Sequence, residues 1–270
     1  MYAVGPHRKP DIGERIKVRK WKLWGSWMRF FALEIVVDAE TYYSRELLEK
    51  QAIVGISPHG IFPFGLAFAT LSELTGVAFG KIRPVVATAT KLLPFVRDVL
   101  KWVGAVDASR PQVDSALSSG ARIGLAPGGI AEMFEGYPKP NAHPNEEYII
   151  IRRGIFRLAM KNNVPMIPVY CFGSTKLLKR VQFPRIIEKI SLLLRTSLVL
   201  FYGKYGLPIP FRKRLLYVMG NPIHPPEASA SADQQVETFV ASYCNELIRC
   251  FDRHKQSYGW EEKILRILKL

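Results

Sequence analysis

Acidic residues are scarce in this chain of 270 residues: 23 Asp plus Glu stand against 38 Lys plus Arg, a formal net charge of +15 at pH 7. That imbalance predicts an anionic partner: nucleic acid, an acidic membrane surface or a phosphorylated substrate. Cysteine is rarer still. Cys171, Cys244 and Cys250 make an odd count with no CxxC pair. A disulfide framework is therefore not expected, a reducing compartment is the default, and each thiol reads as a small buried hydrophobe. Long apolar runs are missing too. Residues 21–37 are interrupted by Lys22, Arg29 and Glu34, and residues 186–202 by Glu188, Lys189 and Arg195, so neither is a clear transmembrane helix. The N-terminus has no apolar stretch before a small-residue cleavage site, so no cleavable signal peptide is expected. Zinc-finger spacing and RNP aromatics are absent, which argues against nucleic acid. No histidine pair has HxxxH or HxH spacing, so metal catalysis is not expected.

What is there reads as one domain over residues 20–260, preceded by a polar, basic arm (1–19) and followed by a short amphipathic tail (261–270). Trp21, Trp24, Met28, Phe31 and Ile35 recur at helical spacing, predicting an amphipathic helix over 20–37. Its tryptophans and flanking cations suit a membrane interface as well as a protein core. Downstream, short apolar runs alternate with helical patterns. Strands are predicted at 52–56, 84–88, 104–106, 123–126, 164–172, 197–202 and 215–219. Pro165 and Pro168 put the 164–172 strand at a sheet edge or make it irregular. A long helix begins near Val236 and ends at Gly259. Residues 260–270 read as a basic amphipathic helix. The alternation predicts an α/β fold with a mixed, mostly parallel sheet flanked by helices.

Four constellations could carry chemistry. His59 sits in Ser57-Pro58-His59-Gly60, a turn after the apolar run Ala52–Ile56. In open α/β sheets active sites collect at such strand ends, and a neutral imidazole there can accept a proton from an alcohol near pH 7. The turn Pro127-Gly128-Gly129-Ile130-Ala131-Glu132 lies between a strand and a helix start, and its backbone N–H groups could face a phosphate or a developing oxyanion. Its plainer reading is a tight turn with a capping glutamate. Asp107 and Arg110, at another strand end, could orient a polar head group or form only a surface ion pair. Gly55-Ile56-Ser57-Pro58-His59 approaches a nucleophile elbow but lacks its final glycine, and Pro58 removes the following N–H. A serine lipase or esterase using Ser57 is thus an alternative, as is a non-catalytic membrane-binding lipid protein.

These blocks occur in a familiar order. With Arg152-Arg153-Gly154-Ile155-Phe156, the strand Ile167-Pro168-Val169-Tyr170-Cys171-Phe172-Gly173, Val218-Met219-Gly220-Asn221-Pro222-Ile223 and Phe251-Asp252-Arg253-His254-Lys255, the chain from about 28 to 260 resembles the type-2 diacylglycerol acyltransferase family. That family includes monoacylglycerol acyltransferases and wax synthases and is distantly related to the glycerophosphate acyltransferases. The resemblance implies transfer of a fatty acyl group from acyl-CoA, as co-substrate, to a hydroxyl of a neutral lipid. No bound cofactor or metal is implied. His59 would be the general base, oriented by Glu132 or else Asp107. Gly60, Gly128 and Gly129 would supply oxyanion N–H groups, and Arg110, Arg152 and Arg153 would hold CoA phosphates or an acceptor head group. It also implies attachment to the cytosolic face of the endoplasmic reticulum membrane, with homo-oligomers possible. Two departures stand out: Ser57 replaces the family's first histidine, and Phe64 occupies the place where the wider superfamily has an aspartate.

Overall fold

The computed structural model describes residues 15–37, 50–88, 90, 96–129, 131–132, 143–181, 201–227 and 231–270. The strands, most of them apolar runs rich in Ile and Val, are β1 (Glu34–Val37), β2 (Ile53–Ser57), β3 (Arg83–Val86), β4 (Val106–Asp107), β5 (Ile123–Leu125), β6 (Glu146–Ile151), β7 (Met166–Phe172), β8 (Lys179–Arg180), β9 (Phe201–Tyr202), β10 (Leu216–Met219) and β11 (Ile264–Lys269). The main helices are α1 (Lys22–Phe30), α2 (Phe64–Leu71), α3 (Arg110–Ser118), α4 (Arg153–Lys161) and α5 (Ala232–Tyr258). Seven strands make one sheet in the order β1-β10-β7-β2-β5-β3-β4. Five of them, β7, β2, β5, β3 and β4, are mutually parallel, whereas β10 runs against β7 and pairs parallel with β1. This is the mixed, mostly parallel α/β sandwich that the alternation of elements requires.

Strand residues alternate between two cores. Ile53, Met166, Tyr170 and Phe172 pack with α3, α4 and α5 through Val113, Phe156, Phe239 and Tyr243. Val54, Ile56, Ile167 and Val169 face the other way, toward Leu66 and Phe68 of α2 and toward Phe31. Both sheet faces are covered, which is why β2 reads as a continuous apolar run. At Gly55 the run gives up its side chain because the Tyr243 hydroxyl packs there and donates to Gly55 O at 3.1 Å.

Four expectations are corrected. The helix expected over 20–37 spans only Lys22–Phe30. Ala32 takes a φ of 44°, and Ile35-Val36-Val37 enter the sheet as part of β1, paired with β10. β-branched residues favour that pleated environment. Trp27 stacks on Phe31 at 5.8 Å, while Trp21 is exposed. The tail is not a helix: Ile264–Lys269 form β11, in parallel register with all six residues of β6. The boundary between arm and domain is not at residue 19, because the end of the arm is packed into the domain. Val18 and Arg19 are buried, and the Arg19 guanidinium donates to Thr70 O, Ile82 O and Val103 O at 2.5, 2.9 and 2.8 Å. Finally, β7 is central in spite of its prolines. Pro168 O accepts from Gly220 N at 2.8 Å. In a strand a residue's N–H and C=O point the same way, so the missing donor of Pro168 faces Gly220, just past the end of the β10 ladder at Met219, and only the reciprocal half of that one pair is given up.

Candidate active site

Because β2, β5, β3, β4 and β7 share one direction, their carboxyl ends share one edge of the sheet. The chain leaves β2 into Pro58-His59-Gly60, β5 into the Gly128-Gly129 turn, and β7 into Gly173-Ser174. These three strands are neighbours, with β2 in the middle. His59 is partly buried, and its Nδ1–H donates to Gly60 O at 2.8 Å. A carbonyl oxygen can only accept, so the proton of the neutral ring lies on Nδ1 and Nε2 carries the lone pair. Burial holds the imidazole pKa below its ordinary 6.5, against a smaller upward pull from the Gly60 bond. The ring is therefore neutral at pH 7. Ser174 Oγ donates to Pro58 O at 3.1 Å and pins the turn to the end of β7.

Glu132 is only 1% exposed. Burial pushes its carboxyl pKa up to about 8, while the backbone N–H groups of His59 and Ile150 pull it down by less. Neither oxygen has a hydrogen-bond partner of good geometry among the described residues. The carboxyl is thus largely protonated at neutral pH and lies beneath the backbone of His59. Gly128 is glycine for want of room: a Cβ would come within 2.7 Å of Ile150 O and 2.6 Å of Glu132 Oε2.

The predicted site residues divide accordingly. His59, Gly60, Gly128 and Glu132 come together. The imidazole is held by the carbonyl of Gly60; Glu132 acts on the backbone of the same turn. Asp107 does not reach the ring. It ends β4, three strands from β2, about 14 Å away at ordinary strand spacing, and accepts from Thr88 Oγ1 at 2.9 Å and Ser109 N at 2.8 Å. The N–H of Gly129 donates to Ala126 O at 3.0 Å, so the turn itself uses it and it is no oxyanion donor. The N–H groups of Gly60 and Gly128 make no hydrogen bond among the described residues. Arg110 and Arg152 are exposed at the starts of α3 and α4. Arg153 is ion-paired with Glu237 at 2.9 Å. Ser57 is fully buried and its hydroxyl has no described partner. A nucleophile must meet substrate, so the geometry argues against a serine hydrolase built on Ser57.

Sequence reasoning missed Glu147 and Tyr170. Glu147 is buried and contacts Lys176 at 2.8 Å, Lys263 at 3.2 Å and the Thr175 hydroxyl at 3.3 Å. The Tyr170 hydroxyl is buried without a described partner, and Glu147 and Glu132 both act on it. An acidic pair at the head of the apolar run Tyr148–Ile151 was the available signal for Glu147.

The profile of the family named "Diacylglycerol acyltransferase" matches residues 2–269. The chain belongs to the diacylglycerol acyltransferase family. Human Diacylglycerol O-acyltransferase 2 is 29% identical over 266 residues, covering 91% of this chain and 66% of the human protein. The Dictyostelium discoideum protein of that name is 30% identical over 272 residues, covering 93% and 78%. Human Acyl-CoA wax alcohol acyltransferase 1 is 28% identical over 277 residues, covering 94% and 81%. Among solved structures, the 1-acyl-sn-glycerophosphate acyltransferase PlsC of Thermotoga maritima superposes with a TM-score of 0.51 at 13% identity, covering 86% of this chain and 77% of that one. That likeness supports the fold.

Proposed function

We propose that this member of the diacylglycerol acyltransferase family is an O-acyltransferase that moves a fatty acyl group from acyl-CoA to a hydroxyl of a neutral lipid, a mono- or diacylglycerol or a fatty alcohol, with His59 as general base. The activities named for its relatives supply the reaction class. The single observation that carries the residue assignment is the Nδ1–H bond from His59 to Gly60 O, which leaves Nε2 as acceptor at the carboxyl edge of the sheet. Nε2 takes the proton of the acceptor hydroxyl while its oxygen attacks the thioester carbonyl. The N–H of Gly60 or Gly128 meets the oxyanion of the tetrahedral intermediate. That intermediate collapses, the C–S bond breaks, coenzyme A leaves as thiolate, and the imidazolium returns the proton to it. No acyl-enzyme forms. Arg110 and Arg152, at helix starts on the same edge, would meet phosphate groups of CoA. Such acceptors dissolve in a bilayer, so the enzyme works against a membrane, the cytosolic face of the endoplasmic reticulum in this reading.

The test is ester formation by purified His59→Ala from labelled acyl-CoA and a panel of lipid alcohols. Removing a general base should lower the rate by at least about 10²-fold, with the far-ultraviolet circular dichroism unchanged. Wild-type turnover in the variant would end the assignment.

A further inference from the structure

Residues 201–213 display an exposed mix of apolar and cationic side chains. After β9 the chain closes on itself: Gly203 N–H donates to Leu207 O at 2.6 Å, Lys204 N–H to Ile209 O at 2.7 Å and Leu207 N–H to Lys204 O at 3.2 Å. A Cβ on Gly203 would strike the Ile209 carbonyl, so the closure needs glycine. Backbone bonds, rather than a core, therefore shape the loop, and every residue from Lys204 to Ile209 is exposed. Tyr205 is 80% exposed, Leu207 52% and Ile209 41%. Tyr205 also holds a φ of 59°, an unfavourable conformation for a bulky residue.

Cations surround the tip. Lys204 lies over the Tyr205 ring at 4.9 Å, Lys179 over Phe211 at 5.6 Å, and Arg212 and Lys213 are exposed. No acidic residue occurs between 201 and 213. The loop sits at the catalytic edge of the sheet: Phe211 N–H donates to Leu177 O at 2.7 Å, and Leu216 pairs with Phe172 at the carboxyl end of β7. The exposed Phe62, three residues from His59, shares that edge.

The geometry points to the 201–213 loop as a membrane-docking tip that inserts Tyr205, Leu207 and Ile209 into an anionic bilayer beside the mouth of the His59 site. An aromatic and aliphatic point with a wholly cationic rim matches the two halves of such a surface, acyl chains below and negative head groups above. The purpose of the contact rests on the reading of His59 as the base for a lipid acceptor; the contact itself does not.

Co-sedimentation with vesicles tests it. The wild-type chain should bind phosphatidylcholine vesicles containing one third phosphatidylserine about tenfold more tightly than phosphatidylcholine alone. Tyr205→Ser/Leu207→Ser/Ile209→Ser should weaken that binding about tenfold or more at unchanged melting temperature. His59→Ala should bind as wild type does, so loss of the catalytic assignment leaves this result standing. Undiminished binding by the triple variant would overturn the proposal. So would failure of the wild-type chain to bind either vesicle, or loss of all binding in Trp21→Ser/Leu23→Ser alone. A second measurement does not depend on the folding of the triple variant. Cys171, Cys244 and Cys250 are buried, so Tyr205→Cys can be labelled selectively with a polarity-sensitive dye. A blue shift on adding the anionic vesicles is expected; unchanged emission would refute insertion.

Discussion

Glu132 places a carboxyl group under the backbone of His59 with burial pushing its pKa up to about 8. With His59 as the proposed base, two titrations should bracket activity. The acidic limb, set by His59, should lie below pH 6.5. The alkaline limb should appear near pH 8, where ionising Glu132 puts an uncompensated charge beside Tyr170 and the catalytic turn. Glu132→Gln keeps the neutral shape and should abolish the alkaline limb while retaining activity near pH 7; a kcat profile against pH checks this. Stability gives an independent reading. The folded pKa is raised from 4.5, so between 4.5 and about 8 the unfolded chain binds fewer protons and stability falls as pH rises. Over that window Glu132→Gln should flatten the pH dependence of denaturant midpoints by an amount worth several kcal/mol. The place of His59 on a turn at a strand end was legible at this scale because a Pro/Gly turn after an apolar run marks such an end. The remoteness of Asp107 was not, because strand order cannot be read from strand spacing in sequence.

Among the elements, the strands flanking the site were the most legible, since β2, β5 and β7 are nearly uniformly apolar. Pairing decided what local pattern could not. Residues 260–270 read as helical, yet β6 offers a full partner ladder, and tertiary pairing outweighs a short segment's propensity. Pro168 misled for a similar reason: a central strand tolerates the loss of one donor where the neighbouring strand stops. The Gly128 turn gives a test at this scale. Gly128→Ala sets a Cβ against Ile150 O and the Glu132 carboxyl, and overpacking of this kind costs about 1–3 kcal/mol. Its thermal midpoint should fall, and turnover should fall further than stability alone accounts for. An alanine variant with both unchanged would mean that the turn has slack.

For the molecule as a whole, Arg19 acts as a staple. One guanidinium serves carbonyls from the end of α2, from the approach to β3 and from the segment before β4. Arg19→Ala would strand three acceptors in the interior, and the loss should be about 3 kcal/mol or more. Limited proteolysis should then cut between residues 15 and 22 faster than it does in the wild-type chain. Nothing in the composition singled out this arginine from the other cations.

The reversal of β10 and β1 has a geometric consequence. Antiparallel entry puts the beginnings of these two strands at the pole where the other five end, so Phe31 and the 201–213 loop arrive at the same pole as His59 without any long crossover. Were both strands turned round, the same segments would emerge at the opposite pole, a strand length of some 17 Å away. On the proposed reading, a lipid acceptor leaving the bilayer would then have to cross water before meeting His59. In the proposed reaction and docking, turning one pair of strands is what would aim the rim that carries His59 at the phase in which a lipid alcohol dissolves.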